Sequence, residues 1–141
     1  MGNPFDAQTV LGPIINAQAC ERVLGVIEQA RSKGSGKLLT GGGRVGGGLA
    51  RGCFVEPTVF GDVDNSSDLA QQEIFGPVLS VIRFRDEDEA ISIANSSEYG
   101  LAAYLFSNDL RRKHRVAAAL EAGTVYVNGS TGVPAAAPFG G

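Results

Sequence analysis

Apolar positions recur every three to four residues at Val23, Val26, Ile27 and Ala30, while Glu21, Arg22, Glu28 and Arg31 fall mostly on other faces. That period predicts an amphipathic helix. Asn16 is a good residue to cap its start, and Gly34 suits its end. Lys37 to Thr40 (KLLT) predicts a short strand, followed by the glycine-rich GGGRVGGGLARG. FVEPTVF alternates enough for another strand, with Pro57 suited to an edge or a bulge. Ser66 or Ser67 is placed to cap a short helix leading to Gln72. From Pro77 to Phe84, the apolar Val78, Leu79, Val81, Ile82 and Phe84 predict a buried strand.

The second half alternates more regularly. DEDEA opens a helix with Ala90, Ile91 and Ala94 as its apolar face, and acids in a first turn suit the positive end of the helix dipole. LAAYLFS predicts a strand, and Asn108 or Asp109 caps the helix LRRKHRVAAALEAG, expected to stop at Gly123. TVYVN predicts a last strand, and GVPAAAPFGG has no period and reads as loop. Strand, helix, strand, helix, strand at this spacing predicts an α/β fold, a mainly parallel sheet with flanking helices. The final three strands are expected to share one sheet. The 141 residues are expected to form a single domain, with an arm at 1–15, a glycine-rich loop at 41–52, an α/β core at 54–128 and a loop tail at 129–141.

Composition narrows the function classes. Hydrophobic residues make up 43%, which places the chain among folded proteins. A formal net charge of -3 gives no steering toward nucleic acid or a membrane surface, so neither is expected as a partner. No apolar run reaches the ~20 residues of a membrane span. MGNPFDAQ lacks the basic and apolar regions of a signal peptide, so a cytoplasmic location is expected. The two cysteines, Cys20 and Cys53, make no disulfide framework and have no metal-site spacing.

Candidate chemistry is sparse by residue type. GGGRVGGG leads into a strand rather than a helix, so it reads as a surface excursion and not a phosphate cradle. Cys20 and Cys53 are the only thiol nucleophiles, yet neither has a histidine nearby and free cysteines are mostly small buried hydrophobes. His114, the single histidine, sits in RRKHR on a predicted solvated helix. Asp86 to Glu89 is explained by capping. That leaves Glu73 and Phe75, in QEIFGPV, which by residue type alone read as a helix-end carboxylate and a core ring.

QEIFGPVLSVIRFRDEDEAISIANSSEYGLAAYLF resembles the aldehyde dehydrogenase superfamily. GNPFDAQTVLGPIINAQACERVLGVIEQA, FVEPTVFGDV, DLRRKHRVAAALEAGTVYVN and the terminal APFGG extend the resemblance, in order, over essentially the whole chain. It implies a partial aldehyde dehydrogenase catalytic domain, from an enzyme that oxidises an aldehyde to a carboxylic acid through a cysteine thioester while hydride passes to NAD or NADP. In the family the glutamate of this motif binds the nicotinamide ribose hydroxyls, and the phenylalanine two residues on packs near the nicotinamide. Those positions are Glu73 and Phe75. Gly129, Ser130 and Thr131 match a segment that helps line the aldehyde tunnel.

The resemblance places the nucleophile, the glutamate base and the dinucleotide domain upstream of Gly2, and neither Cys20 nor Cys53 matches the nucleophile's segment. Residues 1–141 alone are therefore expected to be inactive and to hold no dinucleotide tightly. The other readings are a non-catalytic binding or assembly module, and one half of a split enzyme needing a complementary fragment. Homo-oligomerisation is expected from apolar surface left without its covering segments.

Overall fold

The computed structural model describes residues 1–129, 132 and 136–141. It comprises two compact units, Met1–Arg83 and Phe84–Gly141. In the first, α1 spans Ala17–Lys33. Asn16 caps it as its spacing predicts, its Oδ1 accepting the Ala19 amide at 2.8 Å. Gly34 ends it at φ +66°, a left-handed backbone that glycine adopts without a Cβ penalty, and its amide reaches the Ala30 and Arg31 carbonyls. The buried stripe is Cys20, Val23, Ile27 and Ala30, whereas Val26 is only half-buried.

β1 (Lys37–Thr40) pairs antiparallel with β2 (Thr58–Gly61), with an irregularity between Leu38 and Thr40. The short helix α2 covers Asp68–Gln71, capped at the expected Ser67, though without a side-chain bond. β3 (Val78–Ser80) runs parallel to β2. Of the edge or bulge expected at Pro57, the sheet order β1-β2-β3 corrects the edge, since β2 is central, and the irregularity in the pairing lies opposite Val59 and Phe60. Pro57 precedes the strand, so its missing N–H is never asked of the ladder, which begins with the Thr58 amide donating to the Pro77 carbonyl at 2.8 Å. The core joins the α1 stripe to Val55, Phe60, Val63 and Leu69.

β3 is shorter and wetter than its sequence suggests. Leu79, Val81 and Phe84 are 59%, 41% and 61% exposed, so an apolar run here does not mean a strand covered on both faces.

In the second unit, α3 spans Glu87–Ala94, β4 Ala102–Leu105, α4 Leu110–Ala119 and β5 Thr124–Val127. Asp86 and Asp109 cap the two helices, each carboxylate accepting a backbone amide at 2.9 Å, from Glu89 and Arg112. α4 stops at Ala119, ahead of the expected Gly123. The stop is made by a side chain distant in sequence: the Asn95 amide donates to the Ala119 carbonyl at 2.8 Å and its Oδ1 accepts the Glu121 amide at 3.0 Å. β4 and β5 pair parallel from Ala102↔Thr124 to Leu105↔Val127, with Tyr104 and Tyr126 stacked at 4.9 Å. The α/β class and the prevalence of parallel pairing hold, but β3 belongs with β1 and β2 while β4 and β5 form a two-stranded sheet, which corrects the expectation of one sheet for the last three strands.

Candidate functional site

The turn from Gln72 to Pro77 is built by the elements around it. α2 has ended and Gln72 is extended, its amide bonded to the Asp68 carbonyl at 3.0 Å. The half-buried Ile74 packs against the core, and its carbonyl accepts the Arg22 guanidinium of α1 at 2.6 Å. Phe75 lies at φ +52°, a left-handed conformation that is an outlier for a bulky residue. Gly76 presses on α1: a Cβ there would stand 2.8 Å from both methyls of Val23. The Pro77 carbonyl then takes the Thr58 amide and the chain enters β3. Three anchors thus fix a turn whose two side chains of interest face water.

Glu73 is exposed and Phe75 is 74% exposed. Among the described residues the Glu73 carboxylate makes no hydrogen bond or ion pair, and the Phe75 ring stacks on no other aromatic. A free carboxylate two residues from a free ring is an acceptor beside a flat apolar face. It can take two vicinal hydroxyls while the ring limits the motion of a neighbouring planar group. The core-residue reading of Phe75 by residue type is therefore corrected. Beside Glu73 is a cleft of only about 40 Å³, lined by Arg22, Lys33, Asp68 and Leu69 among others, with Lys33 and Asp68 paired at 3.0 Å. It has room for little more than water.

Gly129, in the second unit, is half-buried and follows Asn128, another positive-φ residue at +55°. The Asn128 side chain acts as one more rung of the β4–β5 pair. Its Oδ1 accepts the Ser107 amide and its Nδ2 donates to the Ser107 carbonyl, both at 2.9 Å. Ser130 and Thr131 lie outside the described residues.

The remaining candidates resolve as structure. Cys20 is fully buried, and burial pushes its thiol pKa up, opposite to what a nucleophile requires. Cys53 is half-buried. His114 is exposed on α4. Asp86 and Glu89 serve the start of α3, and Glu87 is held by Arg112 and Arg115. Among the described residues no three His, Cys, Asp or Glu side chains gather to hold a metal, and no helix is long and apolar enough to cross a membrane. Sequence reasoning missed Arg22 and Asn128, and it read Gly76 as part of the Gly-Pro turn without its close approach to Val23 of α1. Arg22 read as a solvated position off the apolar face of its helix, and Asn128 as the last residue of a strand. Only the Gly-Pro pair signalled the turn.

Comparison with known proteins covers the whole chain. Residues 1–141 match the model of the aldehyde dehydrogenase family. A betaine aldehyde dehydrogenase of Cereibacter sphaeroides is 46% identical over 141 residues, all of this chain and 28% of that protein. The solved betaine aldehyde dehydrogenase of Staphylococcus aureus in complex with NAD+ superposes with a TM-score of 0.93 at 40% identity, over 99% of this chain and 28% of that one. A mutant indole-3-acetaldehyde dehydrogenase of P. syringae in complex with NAD+ and IAA gives 0.91 at 42%, over the same shares. The chain therefore spans under a third of the length of the relatives it matches.

Proposed function

Since the chain belongs to the aldehyde dehydrogenase family, we propose that residues 1–141 supply the nicotinamide-ribose holder of an NAD-dependent enzyme that oxidises an aldehyde to a carboxylic acid. The nicotinamide, when bound, accepts the hydride. Glu73 accepts hydrogen bonds from the two ribose hydroxyls, and the Phe75 ring restricts the nicotinamide. The observation that carries this reading is the unpaired, exposed Glu73 carboxylate beside an exposed Phe75 held at φ +52°. A left-handed aromatic costs ~1–2 kcal/mol, and such strain is characteristic of positions shaped for a ligand. The solved relatives in complex with NAD+ support NAD as the cofactor. Gly129, Ser130 and Thr131 belong to the aldehyde side of the same proposal.

The 141-residue chain taken alone turns over no aldehyde in this reading. Its two thiols are a core residue and the half-buried neighbour of one, and its cofactor contacts are confined to the nicotinamide and its ribose. The test is a titration of the isotope-labelled chain with nicotinamide mononucleotide, read by amide shifts. Shifts confined to residues 72–77 are expected, with Glu73→Gln weakening them about tenfold or more, as loss of a charged hydrogen bond implies. Shifts scattered over the surface, or equal in wild type and Glu73→Gln, would overturn the assignment. Aldehyde turnover by the chain alone that Cys20→Ala or Cys53→Ala abolishes would overturn the assigned inactivity.

A further inference from the structure

Cys20 and Cys53 are distant in sequence and adjacent in the first unit. Independent contacts set them together. The Cys53 carbonyl accepts the Ile14 amide at 2.7 Å, two residues before the Asn16 cap of α1. Val55 bridges Arg44, and the Val45 amide donates to the Phe54 carbonyl at 2.9 Å. The Arg44 guanidinium in turn pairs with Glu21, the residue after Cys20. The segment 53–55 is thereby laid along the first turns of α1. Cys53 packs on the cluster that contains Cys20, and neither thiol is in a disulfide.

We infer that Cys20 and Cys53 form an oxidisable dithiol that a hydroperoxide closes into a disulfide stapling α1 to the lead-in of β2. Two observations give the order of events. Cys53 is half-buried and meets the oxidant, while Cys20 is wholly buried. Burial also holds Cys20 protonated, and its interaction with the Cys53 thiol adds to that effect. The Cys53 thiolate attacks one peroxide oxygen, the O–O bond breaks, and hydroxide leaves; Cys53 becomes the sulfenic acid. The Cys20 sulfur then attacks the sulfenic sulfur, the S–O bond breaks, and the Cys20 proton departs with the hydroxyl as water. Two thiols and one hydrogen peroxide yield one disulfide and two waters. A thiol reductant reverses the step by exchange at Cys53, the more accessible sulfur.

The experiment uses the reduced 141-residue chain, treated with hydrogen peroxide and then alkylated under denaturing conditions. Loss of both alkylatable thiols, with an intact mass lighter by two hydrogens and a peptide joining Cys20 to Cys53, is expected. So is a shift of the urea midpoint to higher concentration. Cys20→Ala should instead leave Cys53 as a sulfenic acid that dimedone traps, and Cys53→Ala should leave Cys20 unmodified. Two titratable thiols after treatment, dimer formation through Cys53 alone, or a peroxide-reactive Cys20 in Cys53→Ala would each overturn the inference. A lower urea midpoint in the cross-linked chain would overturn the claim that the fold accommodates the bond.

Discussion

Phe75 and Gly76 make opposite demands on the same turn. A backbone at φ +52° is where glycine is comfortable, yet the residue there is Phe75; the residue whose Cβ would collide with Val23 is Gly76. Gly76→Ala is expected to destabilise the first unit by about 1–3 kcal/mol, the range for overpacking a fixed core, read as a lower urea midpoint. An unchanged midpoint would mean that α1 does not set this turn. Phe75→Gly should behave differently. It removes a left-handed penalty of about 1–2 kcal/mol and adds back a glycine entropy cost of ~0.5–1 kcal/mol. The urea midpoint should hold or rise slightly while mononucleotide binding falls, and a variant that loses both would mark Phe75 as a packing residue. Arg22→Ala separates anchor from ligand. It frees the Ile74 carbonyl and removes no hydrogen bond or ion pair of Glu73 among the described residues, so binding at 72–77 should weaken with little loss of stability. The motif Glu-x-Phe-Gly-Pro was legible as a resemblance. Its anchors were not, because a guanidinium reaching a carbonyl 52 residues away leaves no periodic trace.

Helix beginnings were the best-read feature among the elements, since a cap is a local bond: Asn16, Asp86 and Asp109 each accept an amide three residues on. The end of α4 was misread because Asn95, not Gly123, makes it. Strand partners were misread for the same reason, as β3 carries nothing in its own residues that says whether β2 or β4 lies beside it. The α3–α4 pair carries a pH prediction. Glu87 accepts Arg115 Nη2 at 2.7 Å and pairs with Arg112 at 3.3 Å. The Arg115 hydrogen bond is the largest influence on its carboxyl; desolvation, the next largest, opposes it, and the Coulombic pull of Arg115 with the contacts of Arg112 tips the balance, holding the carboxyl below the ordinary value of 4.5. The unfolded chain therefore binds a proton at higher pH than the folded one. The pair stabilises the fold above about pH 4.5, and its contribution is lost as pH falls through the lowered folded value. Glu87→Gln should flatten the decline of stability with acid below that pH, and added salt should flatten the wild-type decline, because the pair is open to solvent. Equal slopes for wild type and variant would remove Glu87 from the acid response.

The molecule as a whole exposes more apolar side chain than its core size needs. In the second unit Phe84, Phe106 and Leu110 are 61%, 69% and 63% exposed around an open cleft of about 1060 Å³, rimmed by Arg85, Asp86, Arg111 and Arg112. In the first unit Leu79 and Val81 are exposed on and beside β3. Isolated exposed leucines are ordinary, but large rings grouped around a cleft mark a surface that something covers. In a relative of which these residues span 28%, further chain is available to cover them. For the 141 residues alone only a second copy is. The chain is thus expected to self-associate with increasing concentration, and Phe106→Glu should shift it toward monomer without lowering the urea midpoint, since that ring lies outside the core. Mixed acidic and basic residues on the rim favour a contact whose strength changes little with salt, unlike the ion pair at Glu87. Sedimentation equilibrium at two salt concentrations reads both effects. A wild-type chain that stays monomeric at high concentration, or a Phe106→Glu chain that associates as the wild type does, would show that this apolar cleft is tolerated bare.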